Sequence, residues 1–279
     1  MLSLDQLPLL LICVALALHL LGERRAAVKL RRPRSREARW RAASFYAGLA
    51  LVIVALEGPV DDNSSTLLWV HMLQHVLLLS VAAPLIALGA PWMSIWRPLP
   101  LGFRRAVAKT VARSRALAPL RLLGRSLGRP WPALIACSAI LVIWHVPAAY
   151  DFALAHQGVH VLEHVTFLVF GILLWIQVFE SPPLRPRLPL SARVYYVLAF
   201  DVVCWLLSLV LAFASRPLYP SYAHLAHRPG GLSALADQQI AAGVMLGLGS
   251  LAATLYVFYG LYRWLGAPGG STPDGRQYA

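Results

Sequence analysis

Residues 67–90 read LLWVHMLQHVLLLSVAAPLIALGA and contain no Asp, Glu, Lys or Arg. An uncharged run of this length matches the hydrocarbon of a bilayer, which takes about 20 apolar residues of helix to cross. Near its first end the run carries His71 and His75, four residues apart. Residues at i and i+4 share one face of a helix. The segment therefore reads as a membrane span with two imidazoles aimed the same way, and intramembrane ionisable groups are functional candidates by default.

Further apolar runs lie on both sides, near 6–22, 42–58, 131–150, 159–179, 194–214 and 237–264. With 67–90 they predict an all-α polytopic membrane bundle of about seven transmembrane helices, one integral membrane domain over residues 1–279. Hydrophobic residues make up 58% of the 279 and charged residues only 13%. A soluble domain carries about a quarter charged residues, so the composition excludes a soluble enzyme, a disordered chain and a fibrous repeat. Backbone groups in lipid are satisfied only in helices or closed barrels, and continuous apolar runs do not show the alternation of barrel strands.

Twenty-five Lys and Arg against 12 Asp and Glu give a net charge of +13. The basic residues sit in short loops between the apolar runs. Twenty-three fall in alternate loops and at the C-terminal end, against only Arg216 and Arg228 in the other set. By the positive-inside rule the N-terminus is outside and the C-terminus cytoplasmic. This distribution points to a lipid bilayer with anionic headgroups as the partner, not to nucleic acid. The arginines follow the first run rather than precede it, so it reads as an uncleaved span and not as a cleavable signal. The basic cytoplasmic loop 97–129 reads as a topology determinant, with an amphipathic surface helix around Arg104–Leu120 as the alternative. Cys13, Cys137 and Cys204 all fall within apolar runs and read as inert buried thiols.

Eight of the nine histidines gather toward the outer side, and only His19 lies near the cytoplasm. His160 and His164 repeat the i, i+4 spacing at the start of the fifth span, and HMLQH is echoed by HVLEH. At 1.5 Å per helical residue, His75 lies about 12 Å below the start of its span and His164 about 8 Å below its own. Two such pairs at similar depth, with His145 near the outer end of the fourth span, predict one site between helices. Neutral imidazole suits copper, zinc, iron and nickel. The expected ligands are His71, His75, His145, His160 and His164. Glu163 and Asp237 are expected to orient imidazoles, although Asp237 also reads as a helix N-cap. Met72 and His156 are further possible members, with core packing the simpler role for Met72 and Met245. Gly243, Gly247 and Gly249 are expected to let neighbouring helices approach.

Other chemistries use the same residues. His160, Glu163 and His164 fit H-x-x-E-H, the inverted zinc hydrolase pattern. Facing histidine pairs also suit a haem-binding electron carrier. A copper transporter and a scaffold with a hydrogen-bonded histidine network complete the alternatives.

The order HMLQHVLLLSVAAPLIALGAP, WHVPAAYDFAL, HQGVHVLEHVTFLVFGILLW and ADQQIAAG resembles the multi-span cytochrome c oxidase assembly factor family CtaG, from about Leu67 to Gly260. The chain departs from that pattern at Ile176 and Gln177, and the match is thinner around Asp201, His224 and His227. The resemblance implies a multi-pass protein of the bacterial plasma membrane. It implies a role in cytochrome c oxidase assembly, with oxidase subunits as partners and copper as the metal delivered, and no catalytic residue. His71, His75, His145, His160, His164 and Asp237 match the family's polar motifs.

Overall fold

The structure is a computed structural model that describes residues 6–30, 35–225 and 227–266. In chain order the helices are α1 (Gln6–Leu30), α2 (Arg36–Leu56), α3 (Pro59–Ser64) and α4 (Leu68–Val76), then a π-helical stretch (Leu77–Ala82) continuing into α5 (Ala83–Gly89). They continue with α6 (Trp92–Trp96), α7 (Leu101–Arg113), α8 (Ala118–Leu127), α9 (Pro130–Trp144), α10 (Pro147–Ala155) and α11 (Gln157–Trp175). The last are α12 (Leu190–Phe213), α13 (Pro220–Ala223), α14 (Ala234–Gly247) and α15 (Leu251–Leu265). No strand occurs among the described residues.

Each of the seven expected runs falls on helix. By length and apolarity five helical stretches qualify to cross a membrane, or six if α8 and α9, bent by 97°, count as one. The five are α2, Leu68–Gly89, α11, α12 and Ala234–Leu265. The fourth run is shorter than expected. α9 ends at Trp144, Val146 is extended and Pro147 opens α10, because a proline disfavours helical backbone at the residue before it. The seventh breaks between α14 and α15 at Leu248–Ser250. There Ser250 accepts from Trp205 Nε1 at 2.6 Å and hydrogen-bonds Asp201, which supplies that intramembrane carboxylate with a partner. The basic loop forms two helices, α7 and α8, neither with a buried residue. Arg31, Arg32, Arg34 and Arg276, part of the orientation count, lie outside the described residues.

The stretch Leu68–Gly89 is the centre of the bundle. Seventy-two per cent of its apolar window is buried, against 33–39% for the other four. α2, α11 and α14 pack around it, and their outward faces expose Ile53, Val165, Val169, Leu246 and other large apolar side chains, as lipid-facing helices do. Its π-helical turn ends just before Pro84. Proline has no N–H to donate and its ring clashes with the carbonyl four residues back, so the helix widens there. Close approach on the two sides comes from Gly48 and Gly171. A Cβ at Gly171 would sit 2.8 Å from the Cβ of Ala83, and one at Gly48 2.7 Å from Cγ1 of Ile86. The glycines expected to do this do not: a Cβ at Gly243 or Gly247 would meet nothing within 4 Å, and Gly249 lies in the α14–α15 break.

Candidate metal centre

α4 and α11 present their histidine pairs to each other. The His71 ring centroid lies 4.5 Å from that of His75, 5.0 Å from His160 and 5.9 Å from His164. His75 and His164 are 5.6 Å apart, and His160 and His164 4.3 Å. The two pairs predicted at similar depth therefore meet. One ligand atom from each of His71, His75 and His164 lies within 4.8 Å of the others, and the same holds for His71, His160 and Glu163. His71, His75, Glu163 and His164 are buried and His160 half-buried, so the cluster opens at the α11 N-terminal end.

Glu163 occupies the centre of the group. Its Oε1 is 3.4 Å from His75 Nε2 and its Oε2 3.9 Å from His71 Nε2. Among the described residues neither oxygen has a hydrogen-bond partner, nor does Nε2 of His71, His75, His160 or His164. A buried polar atom left unpaired costs about 1–3 kcal/mol, so this many at one point is the mark of a group built to hold something. A cation held by either close triad, His71–His75–His164 or His71–His160–Glu163, takes up the lone pairs that face it.

The tautomer of His71 is fixed from outside the cluster. The Tyr222 hydroxyl donates its one proton to the Ser64 carbonyl. It therefore accepts the hydrogen bond at 3.1 Å from His71 Nδ1, and in the neutral ring the Nε2 lone pair is left facing Glu163. Burial raises the Tyr222 and Tyr219 phenols above their ordinary range, which keeps both as donors. Tyr219 donates to the His145 carbonyl at 3.1 Å, and Tyr150 packs on His71 at 5.0 Å. Gln74, between the two α4 histidines, donates to the Ala55 carbonyl and to Asp61 at 2.8 and 2.9 Å, which ties α4 to α2 and α3.

The remaining candidates take different positions. Asp237 does not act on an imidazole. Its two oxygens accept the N–H groups of Leu68 and Trp69 at 2.9 and 3.0 Å, capping α4 from another helix. The N-cap of its own helix is Ser233, whose side chain accepts from Ala236 N. His145 borders the cluster, 5.9 Å from His75, with Nε2 3.3 Å from Met72 Sδ. His156 is exposed and bonds the Phe152 carbonyl of the preceding helix, away from the cluster. His224 and His227 are exposed, and His19 lies against Tyr46 and Phe45. Tyr222, Tyr150, Ser64 and Gln74 were not legible as site residues: the first three come from the short helices α13, α10 and α3, Gln74 stands between the α4 histidines, and none carries a spacing signal.

A family model described as "Cytochrome c oxidase caa3 assembly factor (Caa3_CtaG)" matches residues 24–267. No curated protein and no solved structure matches the chain.

Proposed function

Because the chain belongs to the cytochrome c oxidase caa3 assembly factor family, we propose that it binds copper at the His71–His75–His160–His164 cluster and passes it to an oxidase subunit. The observation that carries this reading is the gathering of four imidazoles whose Nε2 atoms have no hydrogen-bond partner among the described residues, in two overlapping close triads beside a buried carboxylate. Metal–nitrogen bonds of about 2 Å put ligand nitrogens about 3.3 Å apart. The nitrogens of His71, His75 and His164, already within 4.8 Å of one another, reach that separation by side-chain rotation. Glu163 balances the charge of the ion in a region where an unpaired charge is costly.

Exchange follows from the lopsided burial. His71, His75 and His164 are enclosed, and His160 is half-buried at the open end with its Nε2 turned inward. A closed four-ligand cage retains its metal, whereas a site whose outermost ligand can swing aside admits a donor from a partner. The reading places the protein in a bacterial plasma membrane with seven spans, α1 and α9 included. The histidine end then faces outward and the basic α7–α8 segment inward. The oxidase subunit docks at the histidine end. No catalytic residue is assigned.

The test is elemental analysis for copper, zinc and iron on protein purified in mild detergent from copper-supplemented cells, beside the His71→Ala/His164→Ala variant. Near-stoichiometric copper in the parent and none in the variant is expected, with low oxidase copper in cells carrying the variant. Iron with a Soret band moves the assignment to haem. Zinc, with hydrolysis abolished by Glu163→Gln, moves it to a hydrolase. Normal oxidase copper in cells carrying the variant leaves a scaffold.

A further inference from the structure

A second group of donors lies just beyond the histidine cluster, on the side away from its open end. A cavity of ≈ 20 Å³ has nine lining residues, among them His75, Leu79, Leu141, His145, Cys204 and Met245. It is large enough for one water-sized occupant, and three of those six side chains end in a metal-binding nitrogen or sulfur other than that of His75. Met72 adjoins it through His145. We propose that this is a sulfur-containing station for monovalent copper, with His75 shared between it and the outer histidine cluster. The proposal rests on the copper reading given above.

The geometry of His145 and Met72 carries the argument. His145 Nδ1 is 2.7 Å from the Leu141 carbonyl, which only accepts, so Nδ1 bears the proton. In the neutral ring Nε2 then offers a lone pair, and 3.3 Å away stands the Met72 thioether sulfur, itself an acceptor. Two lone-pair donors do not hydrogen-bond to each other. They do sit at about the separation that two ligands take on one ion, about 3.5 Å for metal–nitrogen and metal–sulfur bonds of 2.0 and 2.3 Å. Met72 is fully buried and Met245 5% exposed, so neither sulfur is open to oxidant or solvent. His75 supplies the link, with neither ring nitrogen hydrogen-bonded in the protein and rings of both groups within 6 Å.

The two stations differ in softness. The outer one offers imidazoles and a carboxylate, donors that a divalent ion accepts. The inner one is built on two thioethers and two imidazoles, all neutral, with the Cys204 thiol at its wall as a further uncharged neighbour, and thioether sulfur suits monovalent copper. Binding through these four groups releases no proton. A chain that delivers copper thus holds it at a place that suits the monovalent ion.

The experiment uses the full chain in detergent, with cuprous ion presented in competition with a chromogenic chelator and cobaltous ion as a probe of the outer, nitrogen-rich cluster. X-ray absorption of the copper-loaded parent is expected to show sulfur at about 2.3 Å beside nitrogen. Met72→Leu/Met245→Leu, close in volume to the parent, is expected to lose the sulfur signal and at least about tenfold in cuprous affinity, with cobalt binding unchanged. If that variant fails to fold, His145→Gln is read in its place, expected to lose at least about tenfold in cuprous affinity with the sulfur signal retained and cobalt binding unchanged. Nitrogen-only scattering in the parent, or cuprous affinity within twofold of the parent in the variant, overturns the proposal. The two readings fail separately. Cobalt and copper binding that ignore His71→Ala/His164→Ala sink the outer site, while the sulfur signal and the cuprous affinity of the methionine variant judge the inner one.

Discussion

The Tyr222 hydroxyl and His71 Nδ1 stand 3.1 Å apart, joining a residue of the short helix α13 to a histidine of the central helix. The phenol is spoken for by the Ser64 carbonyl, so it acts on the imidazole only as an acceptor. Removing it frees the ring to choose either tautomer and to turn. Tyr222→Phe is expected to weaken metal binding about 10- to 100-fold, the usual effect of losing such an outer partner. The phenyl ring keeps the packing against Tyr150. A cobalt titration beside thermal unfolding checks this; an unchanged affinity removes Tyr222 from the site.

Asp237 holds the first turn of α4 through two N–H groups that helix geometry leaves without partners. Asp237→Ala strands both in the interior, next to Arg228, whose Nε is 3.9 Å from the carboxylate. The expected loss of stability is about 1–3 kcal/mol, read as a lowered unfolding midpoint in detergent. Asp237→Asn keeps one acceptor and is expected to fall between.

The contrast between glycines is equally direct. Gly171→Ala puts a methyl group 2.8 Å from the Ala83 Cβ and 3.1 Å from the Leu79 carbonyl, where backbone must move. A destabilisation of about 1–3 kcal/mol is expected. Gly243→Ala, in helix with open space around the new methyl, is expected to stabilise by about 0.5–1 kcal/mol. Parallel thermal melts of the two variants decide it, and equal effects would place the close contact elsewhere.

Tyr219 and Tyr222 give a pH dependence with a definite sign. Burial raises both phenols above the ordinary value, so the folded state prefers them protonated. Their contribution to stability is complete below about pH 10, the unfolded value, and is lost as pH rises past it toward the folded values. Absorbance titration of the tyrosinate band should leave these two silent at pH 10 in the folded protein, and Tyr222→Phe should remove one late step.

Helical periodicity made much of the site legible. His71/His75 and His160/His164 each declare a face, and depth counted at 1.5 Å per residue brings the faces together. What supports those faces was not legible. Tyr222 reaches His71 across 151 residues and Asp237 reaches Leu68 across 169, and nothing local marks either contact. Asp237 also shows why a cap is hard to assign from sequence: it stands in the first turn of one helix and serves another. Met72 reads as core, and it is buried as core, yet its sulfur meets His145. The three glycines of the last span carried the small-residue pattern without a neighbour to receive it. Gly171, alone in an apolar run, had no pattern and makes the contact.

The capping of α4 by Asp237 also sets an order in time. A chain emerging from the ribosome into the bilayer delivers α4, with His71, Gln74 and His75, long before α11 brings Glu163 and longer before α14 brings Asp237. Until then the first turn of α4 lacks the acceptor that holds it in the finished protein. The histidine centre is thus completed only when the C-terminal helices have been laid in. A chain truncated before α14 possesses all four cluster histidines and still lacks the clasp that fixes the helix carrying two of them.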